Sequence, residues 1–555
     1  MGNFGSTRNL ILAITISVAI IALWQVFFEM PRAQREQQAL LEAQQRAQTT
    51  TETVQTAETG TPAEADGAEP AVDVANSPRV TIVSDEIHGS IRLVGARFDD
   101  ITLRGYHVTV DPDSPEVVLL APEGSDLPYF VDVGWRADQD GVTVPGPTTP
   151  WEADGDKLVV GEPLTLSWTS PEGLRFERRI LLDEHYLFTV TDTVTNGSGE
   201  RVALTPVSRA ERHGLPRLEN FMVLHEGPVG VFDETLQEMD YSDVDDEGRA
   251  TYSGTGGWLG FSDKYWLVAL VPDQQAPVVG TIDRLRGGVP SYAVEMAEAQ
   301  PVAIAPGAST TVTTRFYAGA KEVRLLDRYA DEHGIPLFDR AVDFGWFYFL
   351  TKPLFLLLTW IHGLVGNFGI AIMCLTVIVR LVLFPLANKS YKSMSKMKKL
   401  SPQMQALRER FKDDKTRLQQ EMMAMYKREK VNPAAGCLPL LLQIPVFFAL
   451  YKVLLVSIEM RHAPFVLWIR DLSAPDPTTV FNLFGLIPWD PPLFLTVGVL
   501  PILMGISMWA QQQLNPAPPD PVQARILGLL PIVFTFFLAS FAAGLVLYWT
   551  CNNIL

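Results

Sequence analysis

Residues 370–386 read Ile-Ala-Ile-Met-Cys-Leu-Thr-Val-Ile-Val-Arg-Leu-Val-Leu-Phe-Pro-Leu, apolar except for Thr376 and Arg380. A run of this length can cross a bilayer, and only helices and closed barrels satisfy their backbone there. It therefore predicts a membrane helix. Arg380 inside it costs roughly 2.5–3.5 kcal/mol on insertion scales unless something wet or polar faces it. From the run alone two explanations weigh equally. One is snorkelling to headgroups, because Arg380 lies about 7 residues, or roughly 10 Å, from the helix end. The other is a functional, water-facing site.

Residues 10–28 form another apolar run, broken only by Thr15, Ser17 and Gln25. Glu29-Met-Pro-Arg follows instead of a small-residue cleavage site, so residues 1–30 read as an uncleaved anchor. Residues 31–77 are rich in Gln, Ala, Thr and Glu and bury too little surface to fold, which predicts a flexible linker.

Residues 78–318 alternate between apolar and polar positions. In 188–195, Phe188, Val190 and Val194 share one face, four threonines share the other, and Asn196-Gly197 supplies a turn. Similar runs at 80–83, 90–94 and 311–317 predict a large all-β sandwich. Residues 321–333 predict a closing helix stopped at Gly334-Ile-Pro336, giving a domain over 78–335.

Residues 344–386 are too long and apolar for one helix. Thr351-Lys-Pro353 and Gly366-Asn367 offer breaks, and 338–349 predicts an interfacial helix within a 336–366 approach segment. Spans follow at 367–387, 436–458, 493–513, 526–540 and 541–555. A loop over 459–492 has Trp468 and Trp489 as expected interface anchors, and a Pro-rich turn fills 514–525. Ser540-Phe-Ala-Ala-Gly544 marks the last reversal. The final helix is short, so either it continues past Leu555 or the membrane is thin there. The fold class is thus a helical polytopic membrane protein with six spans plus an all-β domain.

Residues 388–432 carry 13 Lys/Arg against 5 Asp/Glu in a chain of net charge −18. They predict a basic helical hairpin with arms near 390–411 and 415–430, bent at Asp413-Asp414. Lys389, Lys392, Lys396, Lys398, Lys399, Arg408 and Arg410 make an anionic partner or surface the functional reading, with solvated positive-inside charge as the alternative. Recurring methionines offer adaptable apolar contacts. Positive-inside bias puts this hairpin in the cytoplasm and the β-domain in the periplasm of a Gram-negative cell.

No P-loop, HExxH, CxxC or nucleophile elbow occurs, so the chain predicts no enzyme, metal or cofactor. Cys374, Cys437 and Cys551 lie in apolar segments and read as small buried hydrophobes. Arg380 has polar company: Thr376 one turn away, Gln443 between two prolines, and Tyr548, Thr550, Asn552 and Asn553 in the last span. Together they favour a shared hydrated groove over snorkelling. His213 and His225 near Glu211, Glu219 and Glu226 leave an alternative: a membrane-tethered periplasmic protein that binds or processes carbohydrate. A channel or transporter would predict inverted repeats, and none is visible.

Asp343-Phe-Gly-Trp-Phe-Tyr-Phe-Leu-Thr-Lys-Pro353, Gly366-Asn-Phe-Gly-Ile370, Phe384-Pro-Leu-Ala387, Asn432-Pro-Ala-Ala-Gly-Cys-Leu-Pro439 and Gln443-Ile-Pro-Val-Phe447 resemble the YidC/Oxa/Alb family of membrane protein insertases, in its Gram-negative form. Gly256-Gly-Trp-Leu-Gly260, Asp263-Lys-Tyr-Trp266 and Leu182-Asp-Glu-His-Tyr-Leu187 resemble it too. The resemblance implies a periplasmic β-supersandwich and a five-helix core enclosing a groove open to cytoplasm and lipid. It implies groove positions at Arg380, Thr376, Gln443, Tyr548, Trp549 and Asn552, and client contacts at Cys437, Ile444 and Phe447. Implied partners are nascent membrane proteins, the ribosome, the Sec translocon and the phospholipid bilayer, with a monomer when inserting alone. Family members finish the last helix and add a basic, ribosome-contacting tail beyond the position of Leu555. The expected function is insertion and chaperoning of inner-membrane proteins.

Overall fold

The computed structural model describes residues 76–216, 224–411, 414–429, 438–481, 487, 496–514 and 521–555. The expected anchor at 1–30, nearly all of the linker, the segment 432–437 and Trp489 lie outside the described residues.

Period-two burial organises residues 79–320 into two sheets. Strands Leu174–Leu182 and Leu187–Asn196 alternate buried and partly exposed positions, as β-branched and aromatic residues on a pleated surface should. One sheet has nine strands and centres on Ser309–Ala320, Leu187–Asn196 and Leu174–Leu182. The other has eleven and centres on Val202–His213, Tyr129–Ala137 and Arg97–His107. Phe98 of the second sheet meets Phe188 and Phe316 of the first at 5.5 and 4.6 Å between ring centroids, so aromatic packing fills the space between the layers. The large sandwich expected from alternation is present. On the apolar face of Leu187–Asn196, however, Asp192 stands between Val190 and Val194. Arg178 grips it with two 2.8 Å bonds and Trp135 Nε1 donates at 3.0 Å, so the buried charge is fully engaged.

Helix α1 (Tyr241–Glu247) interrupts the strands, and α2 (Val323–His333) closes the domain. Helix α2 buries Val323, Leu325, Leu326 and Tyr329 and stops at Gly334, whose φ of 66° is the left-handed ending that favours glycine.

The expected interfacial helix over 338–349 is not one element. Phe338–Ala341 forms a short 3-10 turn, and α3 begins only at Tyr348 and runs to Val365. Pro353 does not break α3. It falls in the second turn, near enough to the start for the lost hydrogen bond to be tolerated. Thr351, Leu354, Phe355, Leu358 and Ile361 form its buried stripe, whereas Phe349, Leu356, Trp360 and Leu364 are exposed. Lys352 Nζ sits 2.7 Å from Asp327 and 2.8 Å from Asp339. Seven residues on, Thr359 Oγ1 accepts from Arg324 at 3.1 Å. Both Asp327 and Arg324 belong to α2, so α3 lies along the base of the β-domain.

Helix α4 is continuous over Phe368–Arg410, through Pro385, so the expected boundary near residue 388 is not a helix end. The His362 ring stacks on Phe368 at 3.6 Å across the Gly366-Asn367 corner, where the predicted break does occur. Residues 402–429 belong to a second compact unit. In it α5 (Lys415–Arg428) is capped by Asp414, which accepts from the Arg417 N–H at 3.0 Å. Tyr426 Oη contacts Met404 Sδ at 3.1 Å, and Met404 and Met425 are buried, so part of the methionine series is core.

The remaining helices are α6 (Leu438–Val456), α7 (Val499–Leu514), α8 (Pro521–Phe537) and α9 (Ala543–Ile554). A 3-10 turn at Leu538–Ser540 makes the expected reversal between α8 and α9. Loop carbonyls of Ala474 and Leu472 receive the N–H groups of Ala543 and Gly544 at 2.8 and 2.9 Å, satisfying the start of α9. Trp468 is not free to serve as a headgroup anchor, because its Nε1 donates to Asp476 at 3.1 Å.

Candidate functional site

Side chains from α4, α6, α7 and α9 converge around Arg380. The Arg380 guanidinium donates through Nη2 to the backbone carbonyl of Asn552 on α9. Gln443 on α6 donates to Tyr548 Oη, also on α9. Asn553 Nδ2 donates to Ser507 Oγ on α7 at 3.1 Å. Phe447 and Trp549 close one side, with ring centroids 4.8 Å apart at 79°, and Phe534 of α8 lies 5.5 Å from Trp549. Ile444, one residue after Gln443, is exposed.

Two polar atoms of this cluster have no partner among the described residues although both are buried: Arg380 Nε and Asn552 Oδ1. A buried donor and acceptor left open favour water or the polar group of a bound molecule. The arrangement supplies one fixed cation, an amide, a phenol and aromatic walls, and no nucleophile–base pair. Chemically it can hold a polar or acidic group; it is not built to break a bond.

Thr376 does not line this site. It is fully buried and its hydroxyl donates to the Ile372 carbonyl at 2.7 Å, a back-bond within its own helix. Thr550 does the same towards Val546 at 2.7 Å. Spacing put Thr376 on the Arg380 side, but helical neighbours three or four apart need not share an opening. Cys437 lies outside the described residues. Lys389, Lys392, Lys396, Lys399 and Arg410 are exposed, and Arg408 is half-buried and engaged. The side chain of Lys398 lies outside the described residues. These cations are not part of the Arg380 cluster.

The carbohydrate-site candidates are spent on one another. Glu211 lies 2.6 Å from Arg209 and 3.3 Å from His213. Burial opposes ionisation of Glu211, but His213 and Arg209 still hold its carboxyl below the usual range, the reverse of a general acid. His225 pairs with Asp240 at 3.1 Å and with the Pro228 carbonyl at 3.1 Å. Glu219 lies outside the described residues. Among the described residues no cluster of His, Cys, Asp or Glu could hold a metal ion.

Sequence reasoning passed over two groups. Ser507 was hidden in an apolar run, and only its partner Asn553 drew notice. Lys452 sits inside α6 and pairs with Asp343 at 2.7 Å; a charge within an apolar span was itself the missed signal.

Comparison with known proteins covers nearly the whole chain. The family described as 60Kd inner membrane protein matches residues 360–555, and the family described as YidC periplasmic domain matches residues 79–357. A membrane protein insertase YidC from Beijerinckia indica is 48% identical over 569 aligned residues, covering 99% of this chain and 94% of that protein. One from Granulibacter bethesdensis is 48% identical over 565 residues, covering 99% and 96%. A solved structure of an active YidC insertase with its first transmembrane domain resolved aligns over 86% of this chain and 91% of its own, at 19% identity and a TM-score of 0.34.

Proposed function

The chain belongs to the YidC family of membrane protein insertases, and from that premise we propose how its groove works and how it sits in the membrane. As a member it is a non-enzymatic insertase of the inner membrane, with a periplasmic domain, acting on nascent membrane proteins. A client segment with a short polar terminus enters among α4, α6, α7 and α9. Arg380, with Gln443, Tyr548 and Asn552 around it, lowers the cost of holding polar or acidic groups at membrane depth. The apolar remainder slides into lipid past Ile444, Phe447 and Trp549, driven by burial of about 20 apolar residues. The observation that supports this most directly is the open donor at Arg380 Nε beside the open acceptor at Asn552 Oδ1.

The proposed topology has six spans: the anchor, the first part of α4, and α6 to α9. Helix α3 lies in the interface rather than across the bilayer, because Asp327 and Arg324 of the periplasmic domain touch both its first and its second half. The basic hairpin then faces the cytoplasm and meets the ribosome, and cooperation with the Sec translocon and a chaperone role belong to the same proposal. The test is replacement of Arg380 in cells depleted of the native protein. Arg380→Ala is expected to block insertion of single-span clients with acidic translocated ends, and Arg380→Lys to retain it, since charge rather than guanidinium geometry is required. Full insertion by the alanine variant would overturn the proposal.

A further inference from the structure

Three residues past the 3-10 turn that follows α6, the chain offers a cation with no counter-ion. Arg461 Nη2 donates to the backbone carbonyl of His107 and, at 3.4 Å, to that of Val108. Both carbonyls lie at the tip of the hairpin joining strands Arg97–His107 and Glu116–Leu120. The guanidinium stands over Trp266 at 5.3 Å and Tyr265 at 5.8 Å. Among the described residues no carboxylate lies within ion-pair distance of it. Burial, the largest influence, holds its pKa below the usual arginine range, as expected of a desolvated cation lacking an anion. Burial and then the Arg461 charge also hold the His462 imidazole low. A cavity of about 270 Å³ opens here, lined by Tyr106, His107, Thr109, Val110, Arg461 and His462, among others.

The surroundings say where this cavity lies. Asn367, at the head of α4, donates to the carbonyls of Pro464 and Phe465 at 3.2 and 3.1 Å. The loop carrying Arg461 is thus tied across the ends of two proposed spans, α4 and α6. From that loop Leu467 is 84% exposed, on a left-handed backbone of φ 58° that a leucine rarely adopts. Val466, Val108 and Val110 are exposed as well. An uncompensated guanidinium with histidine and threonine donors, ringed by exposed aliphatic side chains at the ends of membrane helices, matches a phosphodiester with acyl chains attached.

We propose that the cavity between the Val108–Val110 hairpin tip and Arg461-His462 is a binding site for the phosphate of an anionic phospholipid in the outer leaflet of the inner membrane, with Leu467 and Val466 resting among its acyl chains. Arg461 supplies the charge, and His462 and Thr109 supply further donors. The bound lipid would seat the sandwich on the membrane surface. This rests on the topology proposed above.

The test uses the full chain in nanodiscs, with Cys374, Cys437 and Cys551 changed to alanine and Leu467→Cys carrying a bimane fluorophore. Phosphatidylglycerol with brominated tails should quench it at least twofold more than brominated phosphatidylcholine at equal mole fraction. Arg461→Gln, which keeps a donor for the hairpin carbonyls but no charge, should erase that preference, and Arg461→Lys should keep it. Equal quenching by the two lipids in the parent, or an intact preference in Arg461→Gln, would overturn the site. Loss of the preference on adding soluble glycerophosphoglycerol would overturn the lipid in favour of a free phosphodiester. An impermeant maleimide applied to the same cysteine in spheroplasts separates the premises. Labelling from outside with no lipid quenching rejects the lipid site alone; labelling only after lysis rejects the topology.

Discussion

Lys452, the single charge within α6, places its Nζ 2.7 Å from Oδ2 of Asp343, on the extended segment ahead of α3. Asp343 also accepts from the backbone N–H groups of His225 and Gly345, each at 3.0 Å. One carboxylate therefore joins a loop of the sandwich, the approach to α3 and a membrane helix. Exposures of 8% for Lys452 and 16% for Asp343 put the pair largely out of water, where losing one partner costs more than losing both.

Lys452→Met should accordingly destabilise the protein by about 3 kcal/mol, because Asp343 keeps its charge without its counter-ion. Asp343→Asn in the same chain should recover more than half of that. A double-mutant cycle on thermal unfolding in detergent measures it. Additive losses would show that the two groups act independently.

The bond between Gln443 and Tyr548 separates stability from function. Gln443→Leu leaves the Tyr548 hydroxyl buried without its donor and should cost about 1–3 kcal/mol. Adding Tyr548→Phe should restore stability while still impairing insertion of clients with polar translocated ends, read by protease protection. A double variant that inserts such clients normally would remove Gln443 and Tyr548 from the client path.

Helix α3 lying along α2 makes a geometric prediction. Cysteines at Arg324 and Thr359 should join through a short bismaleimide in intact membranes, because the two side chains are in hydrogen-bond contact. A lipid-borne quencher should reach a fluorophore at exposed Trp360 from the outer leaflet only. Absence of the crosslink would mean that α3 crosses the membrane.

Glu459 follows α6 and packs against the start of α2. Burial above all, aided by the Glu322 charge, pushes its carboxyl up to about 7 from 4.5, and its Oε2 has no partner among the described residues. Between those two values the folded protein holds a proton that the unfolded chain has released. Stability should therefore fall as pH rises from about 4.5 to about 7 and then level off, by on the order of 3 kcal/mol in all. Melting temperatures at pH 5.5 and pH 8 should converge in Glu459→Gln. An unchanged gap would place the titration elsewhere.

What could be read in advance followed from periodicity and turn chemistry. Alternation over 188–195 announced the sandwich, Gly334 announced the end of α2, and Ser540 to Gly544 announced the reversal before α9. These depend on neighbours along the chain. The misplacements depended on tertiary contacts. Nothing local says that the Thr376 hydroxyl turns back on Ile372, or that Asp192 on an apolar face has Arg178 across the strand. Pro353 looked like a breaker because its position in a helix is unknown until the helix start at Tyr348 is known. In the site, Arg380, Gln443 and Tyr548 were legible because polar groups in apolar runs carry a visible cost. Ser507, small and ordinary in such runs, was not.

The sandwich is fastened to the membrane helices at separate places: Asp327 and Arg324 to α3, Asp343 to α6, and the His107–Val108 carbonyls to the loop beyond it. A rigid body held at two points can still swing about the line joining them; a third point off that line arrests it. Severing any one fastening should therefore turn a fixed mount into a hinge, whose axis runs through the two that remain. Nodding of the domain, followed by the distance between two labels as each anchor is cut in turn, would then have a direction set by which anchor was lost.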